Sequence, residues 1–328
     1  MLHGHLQSPV FLLGPTGCGK SAVAVALAEM LGNAELVSAD AYQVYRGMEI
    51  LTAAPSAEEL QRVPHHLVST LDPTENNDAA THARRAQACL EEITSRGKRA
   101  IVTGGSGLYV KFISHGISEA PPGDEALRRE LNALPLGELV RRLQEADPEG
   151  AAATDLKNPR YVARNLEIVL LGGKPLSYWR QNWKCEPAGP GFCLVRETAE
   201  LDARIARRAK CMLEDGAIAE VEALGDLSLL SPTAAKTLGL PQIAGYLAAR
   251  GNEEIQARVR ACVPSPAPGQ PPLDSLSALE AAITLSTRQY AKRQRTWLRR
   301  EAWLTPVAAT AHDTPETLAR TIAAQLGM

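Results

Sequence analysis

The sequence has no surplus of basic residues: 35 Lys and Arg stand against 37 Asp and Glu, a formal net charge of −2. A general attractive field for nucleic acid is therefore excluded, and any such contact must come from a local patch. Nowhere is there an apolar run long enough to span a bilayer, nor, ahead of Pro9, the charged-then-apolar pattern of a secretory leader. The six cysteines (Cys18, Cys89, Cys185, Cys193, Cys211 and Cys262) lack paired C-x-x-C spacing, so neither a zinc site nor a disulfide framework is expected. Reduced thiols in a cytoplasmic protein without membrane contact are the natural expectation. Internal repeats are lacking as well.

What is present suits a sizeable core. Hydrophobic residues make up 45% of the 328, and that length favours two structural units. Pro9–Leu13 is a short apolar run ending in a Gly-rich turn, as a buried strand does. Ser21–Leu31 has helical composition and stops before Gly32. Glu35–Ala39 and Arg99–Thr103 read as further strands, with the helical stretch Asp78–Arg96 between them. Strands alternating with helices predict a mostly parallel sheet covered on both faces. The rhythm changes after Gly116. From Asp124 to about Trp183 the pattern is helical, with Asn158-Pro159 a good helix start. Pro187–Gly191 then reads as a return linker. The expected organisation is an α/β core from residues 1–117 and 192–328, interrupted by a helical insertion at 118–191. Helices are expected at Ala199–Leu224 and Ser277–Glu301, with a proline-rich loop at 264–272.

Gly14-Pro15-Thr16-Gly17-Cys18-Gly19-Lys20-Ser21 matches G-x-x-x-x-G-K-[ST] and lies between a strand and a helix, where that motif must lie. Backbone N–H groups of such a loop point inward, and the helix N-terminus adds positive partial charge. Lys20 supplies a full charge, and the Ser21 hydroxyl is placed to ligate Mg²⁺. The fold expectation is thus an α/β, P-loop NTPase-like parallel sheet core. The motif says polyphosphate, not ATP. A nucleotide hydrolase usually carries an acid at the end of a further strand, but the strand ending at Thr103 runs into Gly104-Gly105-Ser106-Gly107. The acid so placed is Asp40, at the carboxyl end of its strand and facing the crevice. A helix cap or a metal-water ligand remain alternative roles for it.

Thr287–Arg300 is rich in basic residues. Arg288, Lys292, Arg295 and Arg299 fall on one helical face, with Leu279, Ile283, Tyr290 and Trp297 forming a seam roughly opposite. Few acids interleave, which favours phosphate or RNA contact over a merely solvated face. Adjacent His65 and His66 point to opposite sides of a strand and cannot easily share one ion, so structural roles are expected. Arg160 and Arg164, one helical turn apart, suit either a backbone phosphate or an acidic neighbour.

At this point the chain resembles a known family, the tRNA dimethylallyltransferases, also called tRNA isopentenyltransferases. The resemblance runs through Gly14–Ser21, Asp40–Ile50, Val63–Leu67, Thr103–Tyr109, Asn158-Pro159-Arg160 with Arg164–Glu167, and Thr287–Gln294, in the family's order. It implies transfer of a dimethylallyl group from dimethylallyl diphosphate to N6 of the adenine 3′ of the tRNA anticodon. Within it, Asp40 matches the base and Thr16 the loop hydroxyl beside the reacting centre. Gly14 to Ser21 would hold the donor, with Mg²⁺ on Ser21. Asp40, Ala41, Tyr42, Gln43, Ser106, Arg160, Tyr161 and Arg164 would contact tRNA, joined by Arg288, Lys292 and Arg293 of the basic stretch. The departures are Gly239-Leu240-Pro241-Gln242 where G-Y-[RK]-E is frequent, Ser106 for Thr, Tyr161 for Arg and Ala54 for Lys. An ATP-dependent small-metabolite kinase explains residues 9–40 but leaves the basic helix and the insertion unused. A non-catalytic RNA-binding protein is the other alternative. The oligomeric state is open, a monomer included.

Overall fold

The computed structural model describes residues 8–181, 186–250 and 273–328. The proline-rich stretch at 264–272, Cys185 and Cys262 lie outside the described residues. Six strands, β1 (Val10–Leu13), β2 (Ala34–Ala39), β3 (His65–His66), β4 (Arg99–Gly104), β5 (Gly191–Val195) and β6 (Leu304–Ala308), form one sheet in the order β3-β2-β4-β1-β5-β6. Every pairing is parallel.

A parallel sheet covered on both sides needs apolar side chains at consecutive positions, and β1 reads Val-Phe-Leu-Leu with all four buried. Val10, Leu12, Leu36, Ile101 and Leu194 face one way, packing on the helices Lys20–Leu31 and Pro315–Gln325. Phe11, Leu13, Val37 and Val102 face the other way, against the helices Ala79–Ser95 and Gly107–His115. Register then places the site. Gly104 is the Cα partner of both Leu13 and Ala39, so β1, β2 and β4 end at one level. Gly14, Asp40 and Gly105 leave the sheet side by side at its carboxyl edge.

Two strands go beyond the sequence-based expectations. β5 begins at Gly191, the last residue of the expected linker, and continues the apolar run Phe-Cys-Leu-Val. β6 contains Pro306, which lacks the N–H of a ladder donor; it is tolerated because β6 pairs only with β5, at the sheet edge. The expected helix Ala199–Leu224 divides into Thr198–Glu214 and Ala217–Ala223. Gly216 separates them with φ 103°, a left-handed conformation that costs glycine little and ends the first helix.

The chain forms two compact units, one of residues up to Ser114 and from Pro187 onward, the other His115–Glu186. The second is helical, comprising Glu125–Asn132, Leu136–Ala146, Pro148–Ala152, Pro159–Gly172 and Leu176–Gln181. Asp124, Asp147 and Asn158 cap three of its helices with their side chains, each satisfying an orphan N–H. Leu131, Leu139, Leu143, Val162 and Leu166 make its core. Among the described residues no helix is long and apolar enough to cross a membrane.

Candidate active site

The loop after β1 turns into the helix Lys20–Leu31 through Gly19, whose φ of 93° no β-branched residue would accept. No side chain caps this helix, so its first N–H groups remain open to an anion. Lys20 and Ser21 are half-buried, and among the described residues Lys20 makes no ion pair and the Ser21 hydroxyl no hydrogen bond. Charge and hydroxyl therefore stand at the loop mouth uncommitted.

Three arginines absent from the sequence-based expectations hold the outside of this loop. Arg196 donates through Nε to the Cys18 carbonyl at 2.7 Å, and Arg204 through Nε to the Gly17 carbonyl at 2.9 Å. Arg208 donates through Nη2 to the Thr16 hydroxyl. Burial lowers the pKa of Arg208, while the negative charge of nearby Asp40 acts in the opposite sense. Arg204 and Arg208 lie four residues apart on one face of the helix Thr198–Glu214. That spacing was the available signal, but it belongs to no motif and resembles any charged helix face.

Asp40 sits half-buried at the carboxyl end of β2, its Oδ1 accepting from the Tyr42 N–H at 2.9 Å. The turn that presents it is closed by Ser38, whose hydroxyl accepts from the Asp40 N–H at 3.3 Å and donates to Gln43 Oε1 at 2.9 Å. Gln43 Nε2 in turn donates to the Ala53 carbonyl at 3.1 Å, so this side chain builds the loop. The Ser106 hydroxyl accepts from the Ala41 N–H at 3.4 Å and lies 3.0 Å from the Tyr290 hydroxyl. Burial, then the charge of Asp40, raises the Tyr290 pKa and keeps its phenol protonated. The Tyr42 and Tyr290 rings are 6.4 Å apart.

Beneath Asp40 lies a buried polar support. His82, fully buried, has Nε2 2.8 Å from the Ser38 carbonyl and Nδ1 3.2 Å from Asn77 Nδ2. A carbonyl can only accept and an amide nitrogen only donate, so the imidazole carries its proton on Nε2. Burial lowers its pKa, consistent with that neutral form.

On the helix Leu276–Leu298, Arg288, Lys292 and Arg293 are exposed, Arg288 3.8 Å from Asp202 and Arg293 5.6 Å above the Tyr290 ring. The packed seam differs from expectation in its second half. Leu279 and Ile283 are buried, but the buried line continues through Thr287, Ala291, Gln294 and Leu298, with Tyr290 and Trp297 only half-buried beside it. There the helix runs against the loop after β4: a Cβ on Gly105 would lie 2.6 Å from Gln294 Nε2, and one on Gly107 2.9 Å from the Trp297 ring. In the helical unit, Arg160 and Tyr161 are exposed, whereas Arg164 bonds buried Glu167 at 2.6 Å and the Pro121 carbonyl at 2.8 Å. His66 pairs with Glu35 at 2.7 Å and His65 bonds the Val63 carbonyl at 2.7 Å. Both histidines have structural roles. Pro241 occupies the first turn of the helix Leu240–Ala249, where its missing N–H costs nothing.

The sequence pattern of the IPP transferase family matches residues 43–301. A protein of Akkermansia muciniphila named tRNA dimethylallyltransferase is 53% identical over 97% of this chain and 99% of its own length. One from Citrifermentans bemidjiense, named tRNA dimethylallyltransferase 1, is 39% identical over 89% of each chain. The crystal structure of the tRNA isopentenylpyrophosphate transferase of Bacillus halodurans superposes with a TM-score of 0.66 at 31% identity, covering 98% of this chain and 97% of that one. A eukaryotic dimethylallyltransferase crystallised acting on tRNA shares the fold at TM-score 0.74 and 22% identity, covering 96% of this chain and 77% of that one. A chain in which β1, β2 and β4 end at one level, with an uncapped helix start after β1 and Asp40 after β2, thus belongs to the IPP transferase family of tRNA dimethylallyltransferases.

Proposed function

We infer that this enzyme transfers the dimethylallyl group of dimethylallyl diphosphate to N6 of the adenosine immediately 3′ of the tRNA anticodon, giving N6-isopentenyladenosine. The observation that supports the reading is the shared level of Gly14 and Asp40 on the sheet, which brings the glycine-rich loop and a carboxylate to the same sheet edge.

The exocyclic amine of adenine is a weak nucleophile because its lone pair is delocalised into the ring. Asp40 takes its proton as the new C–N bond forms. The bond that breaks joins the allylic carbon to diphosphate oxygen, and the charge growing there is met by the loop N–H groups, Lys20 and the Thr16 hydroxyl. Arg208 fixes that hydroxyl, so no reorganisation is needed as the charge develops. The Ser21 hydroxyl is the kind of oxygen donor that suits Mg²⁺, which prefers hydroxyl, phosphate and water oxygens. Ser21 would hold it, and it would supply Lewis-acid stabilisation of the leaving oxygens.

On the RNA side, Ala41, Tyr42, Gln43 and Ser106 frame the adenine next to Asp40. Arg160, Tyr161, Arg164, Arg288, Lys292 and Arg293 contact the RNA. An unpaired anticodon loop makes extrusion of the base less costly than a duplex would. Acting on tRNA, the enzyme is assigned to the cytoplasm. The absence of an acid at the end of β4 supports this reading over an ATP-dependent kinase.

The test is to incubate the protein with radiolabelled dimethylallyl diphosphate and unmodified tRNA, and separately with labelled ATP and hydroxyl acceptors. Label is expected in tRNA from the prenyl donor alone. Transfer only from ATP would overturn the assignment.

A further inference from the structure

Gln294 lies on the buried line of the helix Leu276–Leu298 and is 5% exposed. Its Oε1 accepts the Thr16 N–H at 2.8 Å, across 278 residues of sequence. Because Thr16 N–H is a donor, the facing atom must be the amide oxygen, which fixes the side-chain orientation. The Nε2 group is then buried with no hydrogen-bond partner among the described residues. Its position is defined by Gly105: a Cβ there would stand 2.6 Å from Nε2 and 2.5 Å from the Gly14 carbonyl oxygen. Nε2 therefore lies against Gly105 in the loop that follows β4, close to the carbonyl of Gly14, the first residue of the phosphate loop.

A buried amide without an acceptor is costly, so an orphan donor of this kind marks a place where an acceptor arrives. The groups around it select the kind of acceptor. Lys20 is a neighbour along the loop and Arg208 holds Thr16, which favours an anionic oxygen over a neutral one. Thr16 is moreover gripped at both ends, its N–H by Gln294 and its hydroxyl by Arg208.

We propose that Gln294 is a positioning residue for the phosphate loop, anchoring Thr16 through Oε1 and offering Nε2 to an oxygen of the bound diphosphate. This rests on the donor site assigned above. Removing the amide lets Thr16 rotate and deprives the anion of one donor, so binding of the anion and turnover fall together. A purely packing role would lower stability and leave both unchanged in the folded fraction.

The experiment compares the parent with Gln294→Met, which keeps length and packing but neither polar group. Inorganic pyrophosphate with Mg²⁺ is titrated by calorimetry, transfer kinetics are measured on tRNA, and thermal unfolding is recorded. The expected result is pyrophosphate binding weakened tenfold or more and kcat lowered tenfold or more, with the KM for tRNA within twofold and Tm nearly preserved. Equal pyrophosphate affinity in parent and variant would overturn the proposal. If the methionine variant fails to fold, Gln294→Glu keeps the shape and the acceptor but puts an oxygen where Nε2 stands; parental pyrophosphate binding in that variant overturns it equally. A parent that binds pyrophosphate but transfers no prenyl group would sink the assigned reaction while leaving the Gln294 comparison decisive. A parent that binds no pyrophosphate would end both.

Discussion

The Arg208 guanidinium donates to the Thr16 hydroxyl from a helix 192 residues further along the chain. The phosphate loop is thus completed by a side chain that no local motif contains. Truncating Arg208 to alanine frees the Thr16 hydroxyl and removes a cation from beside the proposed diphosphate site. Loss of one such preorganised donor typically lowers turnover by about 10²–10³-fold. Arg208→Ala is therefore expected to reduce kcat by that order and raise the donor KM, with tRNA affinity little changed. Steady-state kinetics with each substrate varied in turn checks this; a pure tRNA effect would contradict it.

Asp40→Asn keeps the shape of the turn, since the amide oxygen still accepts from the Tyr42 N–H. What it loses is basicity. General-base contributions are about 10²–10⁴-fold, so transfer should fall within that range while tRNA binding, measured by filter retention, weakens only modestly. Unchanged turnover would remove Asp40 from the role of proton acceptor.

Arg160 and Arg164 separate by experiment because only one is tied down. Arg160 is exposed, and its replacement by alanine should weaken tRNA binding and reduce the slope of log K against log salt by about one. Arg164 also bonds Glu167, a carboxylate 1% exposed that receives the Asp124 N–H and Arg128 as well. Arg164→Ala should therefore destabilise the protein by about 1–3 kcal/mol in addition to any RNA effect. Thermal unfolding of the two variants side by side tells them apart; equal Tm values would contradict the structural role of Arg164.

Glu35, 3% exposed, accepts from Lys98 at 2.7 Å, Arg96 at 2.6 Å and His66 at 2.7 Å. Burial alone would raise its pKa, but the hydrogen bonds from Lys98 and His66 and the two cationic charges prevail and hold it below the ordinary carboxylate value. The sign follows. A depressed folded-state pKa contributes stability that is complete above the unfolded value and is lost as pH falls through the folded one. Glu35→Gln should cost about 2 kcal/mol near neutral pH, less than a fully buried pair because Lys98 and Arg96 are half-exposed. The variant should also lose less stability than the parent on acidification below the ordinary carboxylate range. Denaturant melts at several pH values test both statements.

The fold was legible wherever chemistry and local pattern coincide. β1, its loop and the following helix are declared by an apolar run, a glycine turn and a Gly-Lys-Ser start. Asp40 could be placed because it ends an apolar strand. β6 was not legible, since a five-residue edge strand with a proline and three exposed positions resembles a loop. Arg196, Arg204 and Arg208 were missed for a different reason: they reach the site from far along the chain, and a helix face bearing arginines looks the same whether it meets solvent or a loop carbonyl. The same applies to Gln294, whose block could be recognised without its contact being deducible. For Arg164, the spacing left a phosphate and an acidic neighbour equally open; the structure supplies the acidic neighbour in Glu167.

The two ends of the sheet bear on how this chain behaves when crowded with copies of itself. An unpaired strand edge is a template on which another polypeptide can add. Here one flank is β3, two residues long, and the other is β6, interrupted by Pro306. Neither offers the uninterrupted row of N–H and C=O groups that a foreign strand needs. A mostly apolar parallel sheet of six strands is thereby closed to growth at both sides.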